Sequence, residues 1–294
     1  MRLRIARVVL LSCTLFVILD VISCRIFDDV MSPADANGLV RSSIDTPSGL
    51  RLSYLSGVTT ETGRQRLIFV HGTPGNAKAF ERYLLDPLPG FESISIDRPG
   101  FGKTRPRTAL PGLRDQALAL EPLLVERDGA WPILIGHSLG GPIIARAAAE
   151  FPDRVGGLVI LSGSLDPSLE KIAWYQRVAN FAFVPHMIPR ALRNSNRELY
   201  PLKRQLEVLQ PLLAKITCPV LIVHARDDSL VPYDNVAYMN ENFAEGVIRE
   251  VVVLQGKDHF IPWNAEPEIR EAILRLAAED APHAPSAGAE TITD

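Results

Sequence analysis

Three kinds of side chain that together can cleave an acyl bond stand just past apolar runs in this chain. The first is Ser138, in Gly136-His137-Ser138-Leu139-Gly140-Gly141, directly after Ile133-Leu134-Ile135. A G-x-S-x-G stretch between a strand and a helix is a sharp turn that holds a serine hydroxyl exposed at its apex. Gly136 and Gly140 omit side chains where the backbone and the helix crowd together. The N-terminus of the following helix favours developing negative charge. A serine hydroxyl is a weak nucleophile alone, so the chemistry also needs a base and an acid that orients it. His259 lies five residues past Leu254, and Asp227-Asp228 lie four and five past Val223. At this point the choice between the two aspartates is open.

The elements that must position these groups are legible as alternating patterns. Residues 50–55 alternate apolar and polar, as a half-exposed edge strand does. Leu67-Ile68-Phe69-Val70 is wholly apolar, which fits a strand buried on both faces of a parallel sheet. His71-Gly72-Thr73-Pro74-Gly75 follows it. Further strands are expected at 91–96, before 136, at 155–161, 220–223 and 249–254. Helices are expected at 77–85, 113–126, from the elbow to about 151, at 233–243 and at 267–278. Strands alternating with helices predict an α/β fold: a mostly parallel central sheet with helices on both faces. In such sheets function collects at the carboxyl ends of the strands. Residues 162–215 break the alternation, with Pro185, Pro189, Pro201 and Pro211 interrupting helical spacing, and are expected to form an inserted helical cap. Its Trp174, Tyr175, Phe181, Phe183, Met187 and Tyr200 are candidates for packing the cap and lining a pocket.

Four motifs, spread over residues 50–278, resemble the α/β-hydrolase fold superfamily, in particular its serine esterases and lipases with a helical cap. His71-Gly72-Thr73-Pro74 is similar to that family's oxyanion loop, and Asp97-Arg98-Pro99-Gly100-Phe101-Gly102 to its D-x-P-G-x-G turn. The elbow is the third. The fourth pairs Asp228-Ser229-Leu230-Val231-Pro232 with Gly256-Lys257-Asp258-His259-Phe260. The chain order serine, acid, histidine is that of the family. The resemblance implies Ser138 as nucleophile, His259 as base and Asp228 rather than Asp227 as the acid. It also implies that the Thr73 and Leu139 backbone N–H groups form an oxyanion hole. Two positions depart from the pattern: Ala225 and Asp258 stand where glycine is usual. The resemblance implies His71 and His137 as loop-holding residues and the Asp97 turn as architectural.

The expected activity is hydrolysis of an ester or related acyl bond through an acyl-enzyme, with no metal and no organic cofactor. Carbon–carbon hydrolases and acyltransferases share these motifs. Epoxide hydrolases and haloalkane dehalogenases are disfavoured, since they carry aspartate at the elbow where this chain has Ser138. A non-catalytic ligand-binding protein of the same fold is the remaining alternative. No G-x-G-x-x-G opens a helix after a strand, which argues against a dinucleotide.

A net charge of −3 over 294 residues gives no footprint for nucleic acid. The three cysteines, Cys13, Cys24 and Cys218, do not make a disulfide framework. Residues 1–24 carry Arg2, Arg4 and Arg7, then an apolar run interrupted by Asp20, then Val21-Ile22-Ser23-Cys24. That is the pattern of an export signal, and its end resembles the lipobox of bacterial lipoproteins. The expectation is an exported, membrane-tethered protein with lipid on Cys24; the alternative is an uncleaved N-terminal anchor. Residues 25–45 are expected to be a linker, 46–280 the α/β domain and 281–294 a disordered tail. The expected partner is a small-molecule acyl substrate, and nothing in the sequence fixes an oligomeric state.

Overall fold

Leu67-Ile68-Phe69-Val70, Ile133-Leu134-Ile135, Leu158-Val159-Ile160-Leu161 and Val220-Leu221-Ile222-Val223 lie side by side at the centre of one sheet. The computed structural model describes residues 38–57, 65–172, 174–179 and 188–279. The N-terminal segment with Cys24, the first part of the expected linker, the 281–294 tail, and Phe181, Phe183, Pro185 and Met187 lie outside the described residues. The strands are β1 (Leu39–Asp45), β2 (Arg51–Gly57), β3 (Gln65–Val70), β4 (Phe91–Asp97), β5 (Ile133–His137), β6 (Gly157–Leu161), β7 (Val220–Ala225) and β8 (Ile248–Leu254). They are ordered β1-β2-β4-β3-β5-β6-β7-β8. Strands β3 to β8 run parallel, while β2 pairs antiparallel with both β4 and β1.

Side chains alternate across the sheet with period two, so each central strand feeds two cores. Leu67 and Phe69 meet Phe80, Tyr83 and Leu84 on one face, together with Ile269, Ile273 and Leu276 of the helix Glu266–Glu279. Ile68 and Val70 face the other core, with Leu113 and Ala117 of the helix Leu113–Leu118 and Ile143, Ile144 and Ala147 of the elbow helix Gly140–Glu150. Each such fully buried aliphatic side chain contributes roughly 1.5–3 kcal/mol relative to exposure.

Two expectations are corrected here. Residues 39–45 are a strand and not linker, and β2 is an inner strand because β1 covers its edge. Strand β1 carries Arg41, Ser42 and Ser43 between a few apolar residues, since one exposed face suffices at a sheet edge. Arg41 Nη1 donates to Asp97 Oδ2 (2.5 Å) and Ser53 Oγ (2.7 Å), so even its charge is used inside the fold. Leu39 pairs with Gly57, whereas Asp45 pairs with Arg51, which bridges to Arg105 beyond the carboxyl end of β4. The chain therefore joins the sheet at the amino ends of the parallel strands.

Between β6 and β7 run the helices Trp174–Ala179, Arg190–Leu199 and Leu202–Leu213. Pro189 and Pro201 cap the second and third of these helices, while Pro211 is carried inside the last turn of the third and does not end it. The third helix also belongs to the body: Leu202, Leu206, Leu209 and Leu213 recur at helical spacing and join the core of the elbow helix.

Candidate active site

Strand β5 delivers Ser138 to the carboxyl edge of the sheet, and the turn that does so has no room for side chains around it. A Cβ on Gly136 would lie 2.4 Å from the Gly140 carbonyl oxygen, and one on Gly140 would lie 2.2 Å from the Val70 carbonyl oxygen. Ser138 itself has φ of 56°, a left-handed conformation that costs a non-glycine residue about 1–3 kcal/mol. The turn is held by Ser138 N–H donating to Leu161 O (3.0 Å) and by Gly141 N–H donating to Ser138 O (2.9 Å). Gly72, from the loop after β3, abuts Ser138: a Cβ there would sit 2.9 Å from Ser138 Cβ.

Loops after β7 and β8 bring in Asp228 and His259. His259 Nδ1 lies 2.7 Å from Asp228 Oδ2. Asp228 Oδ1 accepts from the Leu230 N–H (2.9 Å) and the Val231 N–H (2.8 Å). Burial alone would raise this carboxyl, but the hydrogen bonds from His259 and the Val231 and Leu230 amides outweigh it, so the group is held below its ordinary value. A carboxylate on Nδ1 requires the proton there, which leaves Nε2 as an acceptor. His259 and Ser138 line one cavity of about 870 Å³, together with Thr73 and Leu139.

The neighbours of Ser138, Asp228 and His259 have separate duties. Asp227 Oδ2 accepts from the Gly256 N–H (3.1 Å), which ties the acid loop to the histidine loop. Asp258 Oδ1 accepts from the Phe260 N–H (3.0 Å) and Asn264 Nδ2 (2.6 Å) and so shapes the loop that carries His259. His137 lies against His259, ring centroids 4.7 Å apart, with its Nε2 2.9 Å from the His259 carbonyl oxygen. His224 Nε2 lies 3.0 Å from Val231 O, on the acid loop. Asp97 is fully buried and accepts from the Ala77 and Lys103 amides, so its turn is architectural.

Trp174 and Tyr200 are exposed and do not line the cavity; the Tyr175 side chain lies outside the described residues. The expectation that cap aromatics line the pocket does not hold for those described. The segment instead contributes Ile172, Gln176, Leu199 and Leu202, with Glu170 and Lys203. Glu170 accepts from Ser164 Oγ, and burial raises its carboxyl above the ordinary value. No sequence signal marks these positions, because aliphatic cap residues read the same whether they face a core or a cavity. Among the described residues no group of three or more His, Cys, Asp or Glu side chains is placed to hold a metal ion.

Burial of the histidines sets an acid limit on the fold. Burial, then the nearby His259, lowers His137 to about 3, and burial lowers His71 and His224 as well. In the unfolded chain these rings take up protons below the ordinary value of 6.5, while in the fold they stay neutral. The unfolded state then binds more protons, so stability is full above 6.5 and is lost as pH falls toward 3 for His137. Each such group costs about 1.4 kcal/mol per pH unit within its window. Denaturant unfolding of wild type and His137→Gln at pH 7 and pH 4.5 measures this. The variant should lose less stability on acidification; equal losses would exclude His137 as a source.

A doubly covered, mostly parallel sheet with a strained serine on its central strand–helix turn, and an acid–histidine pair on its last loops, defines the α/β-hydrolase class. The model of the family described as alpha/beta hydrolase fold matches residues 65–201. A 2-hydroxy-6-oxononadienedioate/2-hydroxy-6-oxononatrienedioate hydrolase of Escherichia coli K12 is 23% identical over 256 residues, covering 74% of this chain and 88% of that protein. Among solved structures, a membrane phospholipase A described as a bacterial virulence factor aligns with a TM-score of 0.59 at 17% identity, over 95% of this chain and 98% of that one. An epoxide hydrolase from Vigna radiata aligns with a TM-score of 0.64 at 13% identity, over 84% and 100%. The chain is a hydrolase of the α/β-hydrolase fold.

Proposed function

We propose that the chain is a serine hydrolase that cleaves an ester or related acyl bond through an acyl-enzyme on Ser138. The observation that carries this reading is the 2.7 Å Asp228–His259 pair beside a serine held at φ of 56° in the same cavity. Ser138 Oγ attacks the acyl carbon while His259 Nε2 takes its proton and returns it to the leaving group. Asp228 fixes the tautomer and stabilises the imidazolium. The Thr73 and Leu139 N–H groups receive the oxyanion, each such donor contributing about 3 kcal/mol in the transition state. Water then repeats the sequence on the acyl-enzyme. Turnover of a panel of p-nitrophenyl esters is the test; its absence in folded protein would favour a binding role.

A second reading keeps the triad and replaces the ester by a 2-hydroxy-6-oxo dienoic acid. The similarity to the Escherichia coli hydrolase favours it, and so does the presence of Lys171 and Lys203 at the cavity, which suits an anionic substrate; Lys78, also in the lining, is paired with Glu81 (3.3 Å). The same panel, extended by one such acid, separates the two.

The segment between β6 and β7 serves as the cap that sets substrate length. Leu199→Ala should shift preference toward longer acyl chains by roughly tenfold, in line with the energy of a few methylenes in an apolar pocket. An unchanged chain-length profile would remove Leu199 from that role. For location, we propose export and tethering through lipid on Cys24, on the Arg2-to-Cys24 pattern. Intact-mass measurement of membrane-fraction protein decides between this and an uncleaved Met1 anchor.

A further inference from the structure

An arginine and a glutamate 100 positions apart form an ion pair that water does not reach. Arg98 follows β4 and Glu198 lies on the helix Arg190–Leu199; their side chains are 0% and 1% exposed. The contact is a fork: Nη1 to Oε1 at 2.7 Å and Nη2 to Oε2 at 3.1 Å. Gln116 closes it, accepting from Arg98 Nη1 (2.6 Å) and donating from Nε2 to Glu198 Oε1 (2.9 Å). Two buried charges cost several kcal/mol to desolvate, so such a pair is weak evidence for a purely stabilising role.

The remaining contacts of the guanidinium lead to the reaction centre. Arg98 Nη2 donates to the Gly72 carbonyl oxygen at 2.9 Å. That carbonyl and the Thr73 N–H belong to one planar peptide unit, so fixing the oxygen fixes the direction of the N–H. His71 completes the grip. Its Nε2 accepts from the Arg98 backbone N–H (3.2 Å), and the 2.6 Å contact of Nδ1 with the same Gly72 oxygen requires the ring proton on Nδ1, so the longer approach of Arg98 Nε to Nδ1 (3.4 Å) is a packing contact and not a hydrogen bond. Burial holds this ring neutral, which suits one nitrogen accepting and the other donating. Gly75 makes room for the ring, since a Cβ there would lie 2.6 Å from His71 Nδ1.

We propose that Arg98 and Glu198 are positioning residues for the oxyanion hole: the cap glutamate holds the guanidinium, and the guanidinium with His71 clamps the Gly72 carbonyl and aims the Thr73 N–H. A charged donor on the carbonyl also polarises that peptide and strengthens its N–H as a donor. The clamp extends to the substrate side, because Leu199, next to Glu198, lines the cavity. The inference rests on the acyl-transfer reading above, in which Thr73 N–H receives the oxyanion.

The test compares wild type, Arg98→Lys, and the double variant Arg98→Met with Glu198→Met. Lysine keeps the buried charge pair but is a point donor that cannot hold both Glu198 and Gly72 in one fork. The double variant refills the site with apolar volume, which often preserves stability where removal of one partner does not. Folded fraction is measured by circular dichroism, kcat and KM with a p-nitrophenyl ester, and inhibition with phenylboronic acid, whose serine adduct is tetrahedral. Both variants should lose about 10- to 100-fold in kcat per folded molecule, as small misplacements at a reaction centre do, with KM changed less than about twofold. Inhibition by the boronic acid should weaken by a similar factor. Arg98→Lys carries the result if the double variant does not fold. A folded Arg98→Lys variant with wild-type kcat and boronate affinity overturns the clamp alone. An absence of Ser138-dependent turnover in wild type overturns the hydrolase reading and the clamp with it.

Discussion

Replacing Ser138 with alanine should lower ester turnover by about 10⁴- to 10⁶-fold, the range found when a triad nucleophile is removed. The fold should survive, because the contacts that hold the turn come from the Ser138 backbone N–H and carbonyl and not from its hydroxyl. Alanine at φ of 56° carries the same backbone strain as serine. Ser138→Gly removes that strain and should be equally inactive while melting no lower than Ser138→Ala. Hydrolysis rates and melting curves of the three proteins check both statements. Near-full activity in either variant would mean that another group attacks the acyl carbon.

Asparagine at position 228 should lower kcat by roughly 10⁴-fold, the loss known for an orienting acid turned into an amide. The hydrogen bonds give the reason. The Leu230 and Val231 N–H groups both point at Oδ1 and require an acceptor there. The new amide must place its oxygen at that position and its NH₂ toward His259 Nδ1. Nδ1 then has to accept, the ring proton moves to Nε2, and the base has no lone pair for Ser138. Asp227→Asn loses only the Oδ2 contact to the Gly256 N–H, which an amide oxygen can keep, so its activity should stay within a few-fold of wild type. The reverse ranking of the two variants would transfer the acid role to Asp227.

Local patterns and long-range partnerships differ in how far the chain reveals them. The four central strands are readable because burial on both faces demands unbroken apolar runs. The candidate triad is readable because each member sits a few residues past such a run, in a motif whose glycines and prolines are dictated by backbone shape. Strand β1 is not readable: its polar alternation is what an edge allows, and Arg41 finds its carboxylate 56 positions away. Arg98 and Glu198 likewise meet only after folding, and no spacing links positions 100 apart. The cavity lining fails for a third reason, since Leu199 and Leu202 carry the same helical periodicity as core residues.

The place where the chain joins the sheet has a consequence for orientation. Leu39 stands at the amino ends of the parallel strands, beside Gly57, and the cavity opens at their carboxyl ends, beyond Asp97 and Ser138. The seven residues of β1 separate these ends by about 20 Å at the usual strand rise. A tether upstream of Gly38 would therefore enter at the end of the sheet opposite the cavity mouth. Thirteen residues lie between Cys24 and Gly38, and the chain from one to the other reaches about 50 Å at full extension, enough to let the domain stand clear of lipid headgroups. Under the proposed tether at Cys24, attachment and cavity mouth would lie at opposite ends of the sheet, so the attachment itself would leave the mouth open to the aqueous side.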